Sequence, residues 1–372
     1  MQINIIPVTN NSELKKFILL PWELYKNDKN WVPPLISEIK KYLDFNINPF
    51  FEHAEAEYFL AYQDNKVVGR IAAILNRKYN EFHNDKVGFF GFFECINNKT
   101  VSGKLFNTAA SWLRKKGMEI MRGPMNFSTN DECGLLVEGY DTPPYLMMTH
   151  NPVYYSELIS DFGFEKEMDL YAYMIDDPNP PERLERGSEI IKKRRKITIR
   201  TLDMNKFDEE IAVIKEIYNA AWEKNWGFVP FTEKEFDHLA KNLKQILEPK
   251  LVLIAYVEDK PAGFSLALPN LNQALIKLNG RLFPFGFLKL LYLNRKVDEL
   301  RVITLGVKKE FRKLGIDTVF IHETFKTGYG IGYRKAELSW ILETNTMLHN
   351  ITNHLNVKRY KTYRIYDYKL NS

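Results

Sequence analysis

The sequence predicts an α/β protein built as two tandem lobes. Three observations carry this. Short β-branched, apolar runs alternate with amphipathic stretches along the chain. The order strand, helices, hairpin, strand, helix, strand, helix, strand occurs twice, a repeat of about half the chain in element order. Between the two runs lies Asp176-Asp-Pro-Asn-Pro-Pro-Glu182, whose three prolines and three acids read as a joint. Residues 1–176 are therefore the first lobe, 177–196 a linker and 197–372 the second lobe. The 372 residues suit two domains of roughly 100–200 each.

In the first lobe, Ile3 to Val8 reads as a strand. A helix follows with Ser12 as its N-cap before Leu14, Phe17, Ile18 and Leu19. Glu57 to Tyr62 and Lys66 to Leu75 form a hairpin around Asp64-Asn65. Val87 to Cys95 is an aromatic-rich strand. Lys104 to Lys116 is a helix with Leu105, Ala109, Trp112 and Leu113 on one face. Glu119 to Gly123 is a strand, Tyr154 to Phe162 a helix and Met168 to Ile175 a closing strand.

The second lobe starts with a strand at Ile197 to Leu202. Phe207 to Trp222 and Glu233 to Ile246 are helices, and Leu251 to Val257 pairs with Ala262 to Leu268. Val302 to Val307 is a buried strand. It runs into a basic loop with Lys308, Lys309, Arg312, Lys313 and Gly315, and a helix then places Phe320, Ile321 and Phe325 near one face. Lys335 to Leu342 is a strand, Thr346 to Leu355 a helix, and Lys358 to Tyr368 the final strand or strands. A strand, a basic turn and a helix start together make an anion site. The helix start offers unpaired N–H groups and partial positive charge, and Gly315 lets the backbone approach.

The stretch Val307, then Arg312-Lys-Leu-Gly315-Ile-Asp317, resembles the acetyl-coenzyme A loop of the GNAT acyltransferase superfamily. The family pattern is a strand ending in Val, a short gap, Arg or Gln, two residues, Gly, any residue, then Gly or Ala. Asp317 departs from it at the last position. The element order looks like two tandem GNAT lobes over nearly the whole chain. The resemblance implies lobes that are mixed, twisted sheets flanked by helices, with acetyl-coenzyme A or a longer acyl-coenzyme A held where central strands splay. Its implied binding residues are Leu305 and Val307 on the strand, Arg312, Lys313, Leu314, Gly315, Ile316 and Asp317 in the loop, and Asn345 beside the pantetheine arm. The equivalent place in the first lobe, Ile96-Asn-Asn-Lys-Thr-Val-Ser-Gly103, lacks an Arg before the glycine, so one cofactor site is expected.

Transfer of an acyl group to an amine needs a base, an oriented amine and a protonated leaving thiolate. Glu299 precedes the loop strand. Glu337, Ser339, Ile341 and Glu343 alternate onto one face of the next strand. Glu343, at its C-terminal end, is the expected base; capping the next helix is the plain alternative. The family's acid Tyr would fall near Thr352. Tyr360 is the nearest substitute, with Tyr363, and core packing is the alternative for both.

The run from Arg122 to Tyr155 is too long for an ordinary connection and dense in polar groups. Asn126, Asp131, Glu132 and Tyr154 are expected to line a cleft between lobes and meet a small amine or amino acid; an interface without ligand is the alternative. The apolar run from Arg281 to Leu293 reads as a buried insertion, with a lid or a peripheral membrane contact as alternatives.

A net charge of +5 suits an anionic cofactor better than nucleic acid. Cys95 and Cys133 have no ligand or redox spacing, and the seven histidines show none, so no metal is expected. No signal peptide or membrane-spanning run is read, which points to the cytoplasm. A homodimer is left open. The expected activity is N-acyl transfer from acyl-coenzyme A to an amine. The competing readings are a tandem-lobed aminoacyl-tRNA-dependent transferase and a non-catalytic acyl-coenzyme A binder.

Overall fold

A computed structural model describes residues 2–177, 180–223, 225–355 and 357–370. Pro178 and Asn179 of the expected linker lie outside the described residues, as do Met1, Lys224, Asn356, Asn371 and Ser372 of the expected lobes. The chain forms two compact units. Unit 1 holds the chain up to Leu170, Ala274–Leu290 and the residues from Lys361 on. Unit 2 holds Tyr171–Gln273 and Leu291–Tyr360. This corrects the sequential division at 176 and 197.

Unit 1 begins with β1 (Ile3–Pro7), α1 (Asn11–Leu24), α2 (Ile36–Tyr42), β2 (Ala54–Gln63), β3 (Lys66–Asn76) and α3 (Arg77–His83). It continues with β4 (Val87–Cys95), α4 (Lys99–Lys115), β5 (Ile120–Gly123), β6 (Leu135–Glu138), α5 (Tyr155–Phe162) and the start of β7 (Glu165–Ile175). Asn10, not Ser12, caps α1: its extended backbone lets the side chain accept from the Glu13 amide. The β2–β3 hairpin turns at Asp64 and Asn65, both left-handed, the turn that matches strand twist.

Unit 2 contains α6 (Glu182–Arg195), β8 (Ile197–Thr201), α7 (Phe207–Trp222), α8 (Glu233–Leu243), β9 (Val252–Val257) and β10 (Lys260–Pro269). After α9 (Asn272–Leu275) and α10 (Gly286–Asn294) come β11 (Glu299–Val307), α11 (Ile316–Gly330), β12 (Lys335–Leu342), α12 (Thr346–His354) and β13 (Lys358–Lys369). Most of the expected linker is therefore helix α6. Glu182 and Glu185 at its start and Lys192 to Arg195 at its end complement the helix dipole. The basic run is a helix end tied to α11 by a 2.8 Å Lys192–Glu323 ion pair.

The unit 1 strand order is β1-β2-β3-β4-β5-β13, with β6 also on β13. The short strands β5 and β6 gain their partner from the chain's last strand: Tyr366 pairs with Gly123, and Arg364 with Leu135. Backbone partnership, which has no local sequence signature, thus places residues 361–369 in unit 1. In unit 2 the order is β12-β11-β10-β9-β8. Each unit has one parallel pair in this series, β4–β5 and β11–β12. The expected burial of 281–293 is overturned: Phe283, Phe285, Phe287, Leu288, Leu291 and Tyr292 are all exposed.

Candidate active site

The site in unit 2 starts from the end of a strand pairing. β11 runs parallel to β12 from Glu299↔Lys335 to Val302↔Leu338. Beyond that register β11 continues on β10 as far as Val307. Leu266 faces Thr304 while Ala267 faces Val302, so Ile303 is an extra residue, a bulge just past the last β12 pair. The bulge resets alternation: Leu300, Val302, Leu305 and Val307 lie opposite Pro269, Ala267, Ser265 and Gly263 and share one face. Gly306 lies on the other face, against Trp222 of α7, where no side chain would fit.

On the first face, beneath α11, is a narrow, half-open cleft lined by side chains of β11, α11 and β12. Val302 and Leu338, the last paired residues, line it with Leu300, Leu305, Ile321 and Phe325. Its far end reaches Tyr329, Tyr333 and Arg334. Ser265 and Thr324 also line it, and their buried hydroxyls have no hydrogen-bond partner among the described residues. The wall is otherwise mostly hydrocarbon.

The opposite face carries a buried polar network. The Arg301 guanidinium donates to Ser339 Oγ at 2.8 Å and lies 3.6 Å from the Glu337 carboxylate. Ser339 donates to Glu337 at 2.5 Å, and the Tyr360 hydroxyl donates to the other Glu337 oxygen. Arg301 and Glu337 are register partners, almost wholly buried. Burial would expel a lone charge, so the pair and its hydroxyls stand together. The structure thus joins Tyr360 to Glu337. Glu343 lies in the turn after β12, half-buried. Sequence reading put Glu337 and Ser339 on one face but missed Arg301, because register across a parallel pair is not written locally.

The basic loop leaves β11 at Val307. The Lys308 amide donates to Ala262 O at 2.8 Å, and its buried side chain pairs with Glu216. Arg312 donates to Ala221 O at 2.6 Å and more weakly to Val307 O. Among the described residues, Lys309, Arg312 and Lys313 have no carboxylate partner. Leu314 packs inward with Phe311, Ile316 and Phe320. Gly315 is the N-cap of α11, left-handed at φ +81°. With no side chain, it leaves the helix-start amides to other acceptors. A Cβ there would meet the Ile191 side chain at 2.9 Å, so α6 closes that side of the loop.

Asp317 puts a carboxylate in the first turn of α11. Burial draws its carboxylate above the ordinary range, opposed by hydrogen bonds from the amides of Thr318 and of Asp317 itself. Asn345 caps α12, its side chain accepting from the Leu348 amide at 3.2 Å.

Unit 1 has the same strand divergence with another content. β4 and β5 pair from Val87↔Ile120 to Phe89↔Arg122. The chain after β5 then fills the gap: Met125 N donates to Phe90 O, and Asn126 Oδ1 accepts from the Phe92 amide. A Cβ on Gly91 would meet Met125 O at 2.0 Å. α4 starts directly at Lys99, putting Gly103 inside the helix, and Asn98 accepts from the Thr100 and Val101 amides. Asn126 also reaches Glu132 at 3.3 Å, and Asp131 accepts from Ser128 at 2.8 Å. The Tyr154 hydroxyl donates to Cys95 O. So Asn126, Asp131 and Glu132 are brought together in one loop, Asn126 as its brace, and Tyr154 lies apart on the end of β4. A buried cluster sits behind it. Burial raises the Glu94 carboxyl against the pull of Arg70 and of the Tyr155 and Tyr25 hydroxyls.

No family model matches the chain. It is 38% identical to a protein of Caulobacter vibrioides named bacterial ceramide synthase, over 98% of this chain and 97% of that protein. It is 36% identical to Escherichia coli protein YghO, over 96% of this chain and 93% of that protein. Among solved structures it superposes on a tandem GNAT protein from the clavulanic acid pathway with a TM-score of 0.59, at 11% identity, covering 100% of this chain and 99% of that one. The chain thus belongs to the family of the Caulobacter ceramide synthase and YghO, on the GNAT N-acetyltransferase fold in its tandem form.

Proposed function

We propose that the protein is an N-acyltransferase that moves a fatty acyl group from acyl-coenzyme A to the amine of a long-chain amino alcohol, forming a ceramide-like amide. The observation that carries this is the coincidence of three features where β11 and β12 part. A glycine-capped helix start, where Lys309, Arg312 and Lys313 have no carboxylate partner among the described residues, lies at one end of β11. An apolar cavity begins at the last paired residues, Val302 and Leu338. The relative covering nearly the whole chain is named a ceramide synthase, and a ceramide is an amide of a fatty acid with such an amine.

Acyl-coenzyme A supplies an activated thioester. The amides of Lys313, Gly315 and Ile316, with Lys309, Arg312 and Lys313, hold its diphosphate, while the Leu314 amide is held by Phe311 O. Asp317 weakens this hold by adding negative charge at the helix start. Leu305 and Val307 border the pantetheine path, and Asn345 keeps α12 in place beside it. The acyl tail lies under α11, against Leu300, Val302 and Phe325. The amine arrives on the polar face, where Glu343 takes its proton. The nitrogen bonds to the acyl carbon, the carbon–sulfur bond breaks, and the proton passes to the departing thiolate. Arg301, Glu337, Ser339 and Tyr360 fix the root of the strand pair. They are positioning residues, since the Tyr360 proton is held by Glu337.

The test is incubation of the purified protein with hexadecanoyl-coenzyme A and sphinganine or its 3-keto form, with mass spectrometry of the products. An N-hexadecanoyl amide with matching thiol release supports the reading. Amide formed only from aminoacyl-tRNA, or thiol release without amide, refutes it.

A further inference from the structure

The run around α10 is a membrane-like face on a firm base. Its foot is fixed within unit 1. The Ile36 amide donates to Gly280 O at 3.1 Å, and Trp22 Nε1 donates to Asn279 at 2.9 Å. Gly280 is left-handed, and a Cβ on it would strike Trp22 at 2.5 Å, so the chain must turn outward here. Beyond that foot, Phe283 is 88% exposed, Phe285 75% and Leu288 64%. Phe287, Leu291 and Tyr292 are also exposed. Residues 287, 288, 291 and 292 form an i, i+1, i+4, i+5 stripe along α10, while Leu290 and Leu293 are half-buried. The helix therefore turns an apolar face outward.

Charge decides what covers this face. From Asn270 to Val297 there is no Asp or Glu. Arg281, Lys289, Arg295 and Lys296 are exposed beside the apolar stripe. Lys289 Nζ is held at its base by Lys277 O at 2.6 Å, and Lys296 lies 4.5 Å from the Tyr292 ring centre. A soluble surface seldom leaves so many aromatics together. A short helix with aromatic and leucine residues outward and only basic residues around them matches the interface of an anionic bilayer. There the rings enter the acyl boundary and the cations meet phosphate. No helix among the described residues is long and apolar enough to cross a membrane, so this contact would be peripheral.

We infer that residues 281–296 dock the protein on the surface of an anionic lipid bilayer. The inference stands on exposure and charge at this segment and goes beyond the acyl-transfer reading, whose substrates it would bring within reach.

The experiment is vesicle flotation of the full chain, with phosphatidylcholine alone and mixed equally with phosphatidylglycerol. Three variants accompany the wild type: the triple Phe283→Ser, Phe285→Ser, Phe287→Ser; the double Lys289→Glu, Lys296→Glu; and, as control, Phe82→Ser, an exposed Phe on α3. The wild type and control should float with the mixed vesicles. The triple variant should lose about tenfold or more in partitioning to either vesicle, and the double variant should lose the phosphatidylglycerol preference. These side chains are exposed, so the variants should fold, and an unchanged thermal shift with free coenzyme A checks this without any activity assay. The inference is overturned if the triple variant floats like the wild type, or if the wild type does not float. It is equally overturned if sedimentation without vesicles shows a wild-type dimer that the triple variant breaks, which would give the face to a second copy.

Discussion

Filling the cavity under α11 should shorten the acyl chain the protein prefers. Ala336 pairs with Leu300, lines the cavity and is only half-buried, so Ala336→Phe directs a ring into the space rather than into packed core. Each methylene withdrawn from water contributes about 0.8 kcal/mol, so affinity should climb about fourfold per added carbon until the cavity is full. A phenyl ring takes the room of about three methylenes, which removes about 2.4 kcal/mol, or about 60-fold, for chains that fill the wild-type cavity. Acetyl-coenzyme A and free coenzyme A should be unaffected, since the basic loop lies at the other end of α11. Titration calorimetry across a series from acetyl to hexadecanoyl reads both effects. Equal wild-type affinity across that series would refute the reasoning, as would an equal loss for every ligand, free coenzyme A included.

Three further substitutions test separate parts of the account. Asp317 has a raised pKa in the folded state, so that state holds its proton more tightly than the unfolded chain. Stability from this group is therefore full below the ordinary carboxylate pKa and is lost as pH rises through the folded value. Asp317→Asn should raise the unfolding midpoint at neutral pH and not at strongly acid pH. It should also tighten coenzyme A binding by of order 1 kcal/mol, and calorimetry showing weaker binding would contradict the charge argument. Glu337→Gln leaves Arg301 without its buried counter-charge and should cost about 3–5 kcal/mol in urea unfolding. Most of that should return when Arg301→Met is added, and a cost near zero would show the pair to be incidental. Glu343→Gln should lower kcat by about 10²–10⁴-fold and leave coenzyme A affinity unchanged; an unchanged kcat would exclude Glu343 as the base.

Elements set by local pattern are legible in the sequence. β12 was expected at Lys335 to Leu342 and lies there, because its face alternates and Asn345 marks the next helix. The strand, basic loop and helix from β11 to α11 carried the family resemblance, because Gly315 has to be left-handed where it stands. Interactions between distant segments were not legible. Nothing near Arg301 announces Glu337 across a parallel pair, and nothing near Lys361 says that the strand after it completes the sheet of unit 1. The joint at 177–196 misled for another reason. Pro181 directly precedes a helix, and the charges behind it sit at the correct ends of that helix. The 281–293 run is exposed rather than buried because hydrophobic character alone does not say whether a segment is covered.

If one strand divergence holds both ends of a fatty acyl-coenzyme A, a crystal structure with a non-hydrolysable hexadecanoyl analogue will show both. Diphosphate density should lie against the amides of Lys313, Gly315 and Ile316, with continuous tail density from Val302 to Tyr333. Diphosphate density elsewhere, or a tail lying outside the space beneath α11, would contradict it.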